Sequence, residues 1–313
     1  MGNGHWSEEP GAANSAVPEN STNVVQQHIK GVADFDSAAD LIRDHLVQKS
    51  IFDYFRQLFS ECGVSSAEAV NRADLDKDFG RQIINGERRT RRDNYIRIGI
   101  GIGLDSHKTQ SMLKFVQTGQ LYVLRQRDAA IMFCIERKLS LIDTQLMLDS
   151  YGYEPLGDGG FHTEDDVPVK DTEQSVETAH IEQIIKGASN FSEVLDKTAG
   201  RLIKGTIEQY FDALLAGGNI DRKELFERAG VSLNTGYQLI RGVRRSKNRD
   251  VYLRIAIAAG IGFDETQRML KLLDAGAIYP LVERDAVIYF GMVNGYSLAK
   301  IQELLADRGF SPL

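Results

Sequence analysis

Two basic clusters stand at matching places in the chain, and their residue types point to one kind of chemistry. The first is Arg81, Arg88, Arg89, Arg91 and Arg92; the second is Arg241, Arg244, Arg245, Lys247 and Arg249. Guanidinium and ammonium groups gathered in this way bind phosphate oxygens, contacts that position a protein on a duplex without reading its sequence. Just before each cluster lie side chains able to reach base edges: Lys77 and Gln82 in one case, Asn234, Tyr237 and Gln238 in the other. Asn and Gln amides match adenine in a major groove. Basic residues at a helix end are more often plain solvated surface, but recurrence at aligned positions in both halves argues for a shared purpose.

Other chemistries find less support. His5, His28, His45, His107, His162 and His180 are scattered, with no recurring carboxylate or cysteine partner at ligand spacing, so no metal and no cofactor is expected. Cys62 and Cys134 are too far apart for a metal knuckle and too few for a disulfide scaffold, which suits a reducing cytoplasm. Gly99-x-Gly101-x-Gly103 superficially suggests a nucleotide loop, yet no strand precedes it, and the second half has Ala256, Ala258 and Gly260 there. Small residues packing a helix explain it better. No Ser, Cys or Lys stands in a recognisable nucleophile arrangement, and the expectation is that the chain is not an enzyme.

A net charge of −7 at first opposes a polyanionic partner. Its location reverses the argument: residues 1–23 carry −3 and residues 157–180 carry −6, which leaves +2 on the rest. No stretch approaches the roughly 18 apolar residues of a membrane span, so no membrane partner is expected. The N-terminus has neither a basic start nor an apolar run and reads as a disordered tail over 1–23.

The clusters match because the chain is duplicated. At an offset of 156, Ile29–Gly31 falls on Ile185–Gly187 and Gly80–Arg89 on Gly236–Arg245. After a one-residue insertion, an offset of 157 places Arg92–Ile98 on Arg249–Ile255, Thr109-Gln110 on Thr266-Gln267, Arg127–Ala129 on Arg284–Ala286, and Gly152–Leu156 on Gly309–Leu313. Copy one spans 24–156 and copy two 180–313. The segment 157–179 between them is acidic and poor in large apolar residues, as flexible linkers are, so the copies are expected to reorient.

Apolar residues recur three and four apart throughout each copy, predicting an all-α fold of about seven helices per copy and no convincing strand. Ser37-x-x-Asp40, Ser65-x-x-Glu68 and Asp221-x-x-Glu224 read as helix starts, and Gly86 and Gly242 as stops. Within each copy a helix, a sharp turn and a second helix are expected over Ser65–Arg89 and Asp221–Arg245. Gly230 supplies a left-handed turn, which Asp74 replaces in copy one, and Val231 and Leu75 plug the elbows. The second helices run about Lys77–Asn85 and Ser232–Arg241. Asp76 and Asp78 put negative charge near the first reading surface and would repel phosphates there.

On these residues the unit resembles the xenobiotic-response-element, lambda-repressor-like helix-turn-helix family, particularly bacterial members reading GYQ-aliphatic-x-x-G-x-R followed by RD and an aliphatic helix. Resemblance implies a five-helix DNA-binding core at about 51–118 and 207–275, extended by two further helices. Gly80 and Gly236 depart from the family, which often has an inward aliphatic there; close helix approach is the preferred explanation. The expected function is a cytoplasmic transcriptional regulator whose two linked helix-turn-helix units read two unlike half-sites of double-stranded DNA. A linker of about 23 residues spans on the order of 25 Å, compatible with half-sites about 34 Å apart. The alternative is a protein-interaction or scaffold module that uses the C-terminal helices of each repeat, about Arg127–Ser150 and Arg284–Ala306, as its partner surface.

Overall fold

The computed structural model describes residues 21–46, 49–157, 174–199, 207–216, 220–244, 246 and 248–313. Every regular element among them is a helix, and one isolated antiparallel bridge is the sole β pairing. The first half contains α1 (Ser21–Lys30), α2 (Phe35–Ile42), a 3₁₀ turn (Arg43–His45), α3 (Ile51–Cys62), α4 (Ser66–Arg72), α5 (Lys77–Ile84), α6 (Arg92–Gly101), α7 (Ser106–Phe115), α8 (Gln126–Glu136) and α9 (Leu141–Ser150). The second repeats that order as α10 (Gln174–Gly187), α11 (Phe191–Lys197), α12 (Ile207–Ala216), α13 (Arg222–Arg228), α14 (Leu233–Ile240), α15 (Asp250–Ala258), α16 (Phe263–Leu272), α17 (Glu283–Val293) and α18 (Leu298–Asp307).

Each half therefore holds nine described helices where apolar spacing alone suggested seven. Helix α1 begins inside the expected tail and α10 inside the expected linker. The predicted start at Ser37 is also off by a turn: Asp34 caps α2, accepting from the Ser37 backbone N–H at 2.9 Å. Elsewhere the predicted punctuation holds. Ser65 caps α4 and Asp221 caps α13, while Gly86 at φ 75° and Gly242 at φ 70° close α5 and α14 in the left-handed region.

Glutamines explain part of the sequence repeat. Gln110 clamps the chain after α7 by donating to the Leu121 carbonyl at 2.7 Å and accepting from the Leu121 N–H at 2.9 Å. Gln267 does the same with Ile278, at 2.8 Å in both directions. Gln145 likewise ties α9 to the Leu156 main chain that ends copy one.

The halves interlock. The α1–α2 hairpin packs on α17 of the other copy, and α10 packs on α8. Phe35 meets Phe290 edge-on with ring centroids 5.5 Å apart, and the equivalent pair Phe191 and Phe133 lies at 5.9 Å. Arg308 covers the Phe35 ring and pairs with Asp36. On the other side, the Tyr151 hydroxyl hydrogen-bonds Ser192 at 2.9 Å. The apolar faces of these hairpins, with Val25, Ile29, Phe35 and Ile42 in one and Ile181, Ile185, Phe191 and Val194 in the other, are buried. The copies thus exchange their N-terminal hairpins, and burial of these side chains opposes the reorientation expected of a flexible linker.

Candidate nucleic-acid interface

Helices α4 and α5 meet through a four-residue turn in which Asp74 is left-handed at φ 51°; α13 and α14 meet through one in which Gly230 takes φ 59°. Both turns are braced from the next long helix. Arg97 on α6 donates from Nε to the Ala73 carbonyl at 2.9 Å and pairs with the Asp74 carboxylate at 3.2 Å. Arg254 on α15 donates to the Gly230 carbonyl at 3.0 Å. Val231 is buried at the second elbow, while Leu75 is partly buried at the first.

Close approach of the paired helices requires the two unusual glycines. A Cβ on Gly80 would come within 2.5 Å of the Val70 side chain, and one on Gly236 within 2.5 Å of the Phe226 ring. Because Val70 and Phe226 occupy equivalent positions, both units settle the contact in the same way, with the side chain on the first helix and hydrogen on the second. A Cβ on Gly101 would lie 3.1 Å from the Arg72–Ala73 backbone, a tighter than ordinary contact that accounts for part of the Gly99–Gly103 run as packing.

The outer faces of α5 and α14 carry most of the candidate reading residues. Lys77 and Arg81 are placed there with Gln82; Lys77 and Arg81 are exposed, and Gln82 is half-buried. On α14, Asn234 is exposed, and Tyr237 and Gln238 are half-buried. Gln238 donates to the Asn234 side-chain oxygen at 3.3 Å, one turn away along the helix. Arg88 and Arg89 follow α5 and are exposed, as is Arg244 after α14. Arg88 lies over the Phe79 ring at 4.9 Å, and Arg89 reaches the Gln117 side-chain oxygen at 3.4 Å. Arg241 lies 3.7 Å from Glu208 and over Tyr237. Arg91 is half-buried. Arg245 and Lys247 lie outside the described residues.

Comparison with protein-family models, with curated proteins and with solved structures finds no match to this chain. The functional reading therefore rests on the chain's own geometry.

Two members of the basic clusters are placed elsewhere. Arg92 is 7% exposed and forms a fork with Asp128, at 2.9 Å and 2.8 Å, with a further bond to the Gln120 carbonyl. Arg249 is 9% exposed and does the same with Asp285 and the Ala277 carbonyl. Each neighbouring aspartate is used in return: Arg127 pairs with Asp93 at 2.7 Å and Arg284 with Asp250 at 2.8 Å. In both units an Arg-Asp dipeptide at the start of one helix therefore exchanges partners with an Arg-Asp dipeptide at the start of another. These arginines pin α6 to α8 and α15 to α17; they do not face solvent and leave the candidate contact set. The signal was present in the sequence, since each arginine stood beside an acid and both dipeptides recurred.

Asp274 joins the copies at this level. It stands 2.7 Å from Arg92 and 2.6 Å from Arg125, across from the copy that carries them. Burial opposes the charge on Arg92, but Asp128, Asp274 and Asp93 outweigh it and hold the guanidinium above its ordinary range. No sequence pattern marks Asp274, because its partners lie in the other repeat.

Among the described residues, no helix is long and apolar enough to cross a membrane, and no group of three His, Cys, Asp or Glu is placed to hold a metal.

Proposed function

We propose that this protein is a DNA-binding transcriptional regulator in which two helix-turn-helix units of the lambda-repressor-like kind act together on one duplex in the cytoplasm, without catalysis. One observation carries the reading. In both units the helix after the left-handed turn leads into solvent-exposed arginines, Arg88 and Arg89 in one and Arg244 in the other, that form no ion pair among the described residues. Cations on a protein whose buried acids are already matched by other arginines are available to phosphate. Arg89 also contacts Gln117, next to the bridge between the copies, so the first basic loop borders the line where the halves meet.

Interlocking changes the mechanism from tethering to presentation. Two units that exchange hairpins hold α5 and α14 in one fixed relation, and a site of one spacing then suits them better than the range of spacings a loose linker would tolerate. The test is binding of the full chain to a fragmented genomic library at two salt concentrations, followed by sequencing of the bound DNA. A bipartite motif with a steep salt dependence supports the reading; no enrichment at low salt sinks it.

A specific observation favours a second reading, the protein-interaction module. On α9, Ile142 is 72% and Leu146 63% exposed, an apolar pair one turn apart whose counterparts on α18 are Ala299 and Glu303. This reading expects a stable protein complex and no salt-sensitive DNA binding.

A further inference from the structure

The two reading helices have diverged in chemistry far more than in shape. At equivalent positions α5 carries Lys77, Asp78, Arg81 and Gln82 where α14 carries Leu233, Asn234, Tyr237 and Gln238. Building on the DNA-binding reading above, we infer that the two helices read opposite kinds of base pair, α5 a G·C pair and α14 an A·T pair.

On α5, acid near the reading surface is an apparent fault, since it repels phosphate. The two acids are not alike, however. The Asp76 carboxylate caps the helix, accepting from the Asp78 and Phe79 N–H groups at 3.1 Å and 3.0 Å. Its charge is spent on the positive end of the helix. Asp78 is exposed and makes no such bond with its side chain, and Arg81 lies three residues further along the same face, also exposed and without an ion pair among the described residues. A carboxylate accepts from the cytosine N4 amino group, and a guanidinium donates two bonds to guanine O6 and N7. Side by side, they match the two halves of one G·C pair.

On α14 the surface is neutral and partly apolar. Leu233 opens the helix 41% exposed, an apolar side chain in solvent where its counterpart is a lysine. Against DNA it suits the methyl group of thymine. The Gln238 amide is oriented by Asn234, which takes one of its two N–H groups. That leaves one donor and the carbonyl oxygen for the pair of bonds that adenine N7 and N6 require. Leu233 thus suits thymine and Gln238 adenine, so both favour A·T pairs.

The test is selection of the full chain on duplexes with both half-sites randomised, alongside Asp78→Ala and Gln238→Ala. The unmodified chain should enrich G·C in one half-site and A·T in the other. Asp78→Ala should lose the G·C preference in its own half-site alone, by roughly five- to hundredfold, while binding random duplex more tightly because a repelling charge has gone. Gln238→Ala should lose adenine in the other half-site by a similar factor. If both variants bind DNA with base preferences unchanged at both half-sites, the assignment is wrong and the DNA-binding reading stands. If the unmodified chain shows no salt-sensitive binding to any duplex, both fall.

Discussion

Thr118 forms an antiparallel bridge with Ala275, its own counterpart in the second repeat. A residue that pairs with its equivalent lies on a two-fold axis, as in an isologous dimer interface. Neighbours obey the same relation. A Cβ on Gly119 would strike the Asp274 backbone, and one on Gly276 would strike the Gln117 carbonyl, where Gln117 and Asp274 are themselves equivalents with φ 56° and 53°. The symmetry is broken in charge: Asp274 engages Arg92 and Arg125, while the first copy offers Gln117 and the second copy has Val282 in the place of Arg125.

Exchanged hairpins should hold the halves together without the connecting chain. With a protease site inserted between residues 158 and 173 and then cleaved, the two fragments should co-elute as one particle in size-exclusion chromatography. Lengthening that segment should leave the spacing of any selected DNA half-sites unchanged. Fragments that separate as folded monomers would contradict the exchange.

Removing one partner of the buried fork should cost more than any surface change. Asp128 is 1% exposed and accepts from Arg92 and from the Tyr122 N–H at 2.9 Å. Asp128→Ala leaves Arg92 buried with less compensation and should lower stability by about 3–5 kcal/mol. Denaturant unfolding measures it, and a decrease below about 1 kcal/mol would mean that Asp274 suffices for Arg92.

Gly236→Ala should destabilise by about 1–3 kcal/mol, because the new methyl overlaps the Phe226 ring. Phe226→Leu in the same chain should recover part of that stability, which a thermal melt of the single and double variants would detect. Strictly additive effects would rule out this overlap as the cause.

Replacing Arg88, Arg89 and Arg244 by Ala should weaken DNA binding across sequences and reduce the salt slope, by about 0.9 for each phosphate that is no longer neutralised. An unchanged slope in a salt titration would place the interface on another face of the molecule.

Thiol reactivity should divide the cysteines. Burial pushes the Cys134 thiol up to about 11 from 9.0, whereas Cys62 is partly exposed. At pH 8 an alkylating reagent should take Cys62 first and Cys134 only after unfolding. Since the folded state disfavours the Cys134 thiolate, its contribution to stability is whole below pH 9 and declines as pH rises toward 11. Equal labelling rates in the native protein would refute its burial.

Much of each unit could be read from residue order, because the interactions responsible are local. Capping by Ser65 and Asp221, the left-handed turns at Asp74 and Gly230 and the stops at Gly86 and Gly242 depend on neighbours a few positions away. The repeat, the all-helical class and the spans of α5 and α14 follow from them. So does the reason for Gly80 and Gly236, since a helix of that pattern has a known inward face.

Tertiary structure alone decided where the outer hairpins dock and which arginines face water. Phe35 fits Phe290 in the second copy, but Phe133 of its own copy is the equivalent residue, so duplication makes the two docking choices indistinguishable along the chain. Arg92 and Arg89 are likewise the same residue type three positions apart, yet one is buried on Asp128 and the other exposed. A helix start that turns one side chain inward separates them, and the acid that neutralises it lies 36 residues away in the chain.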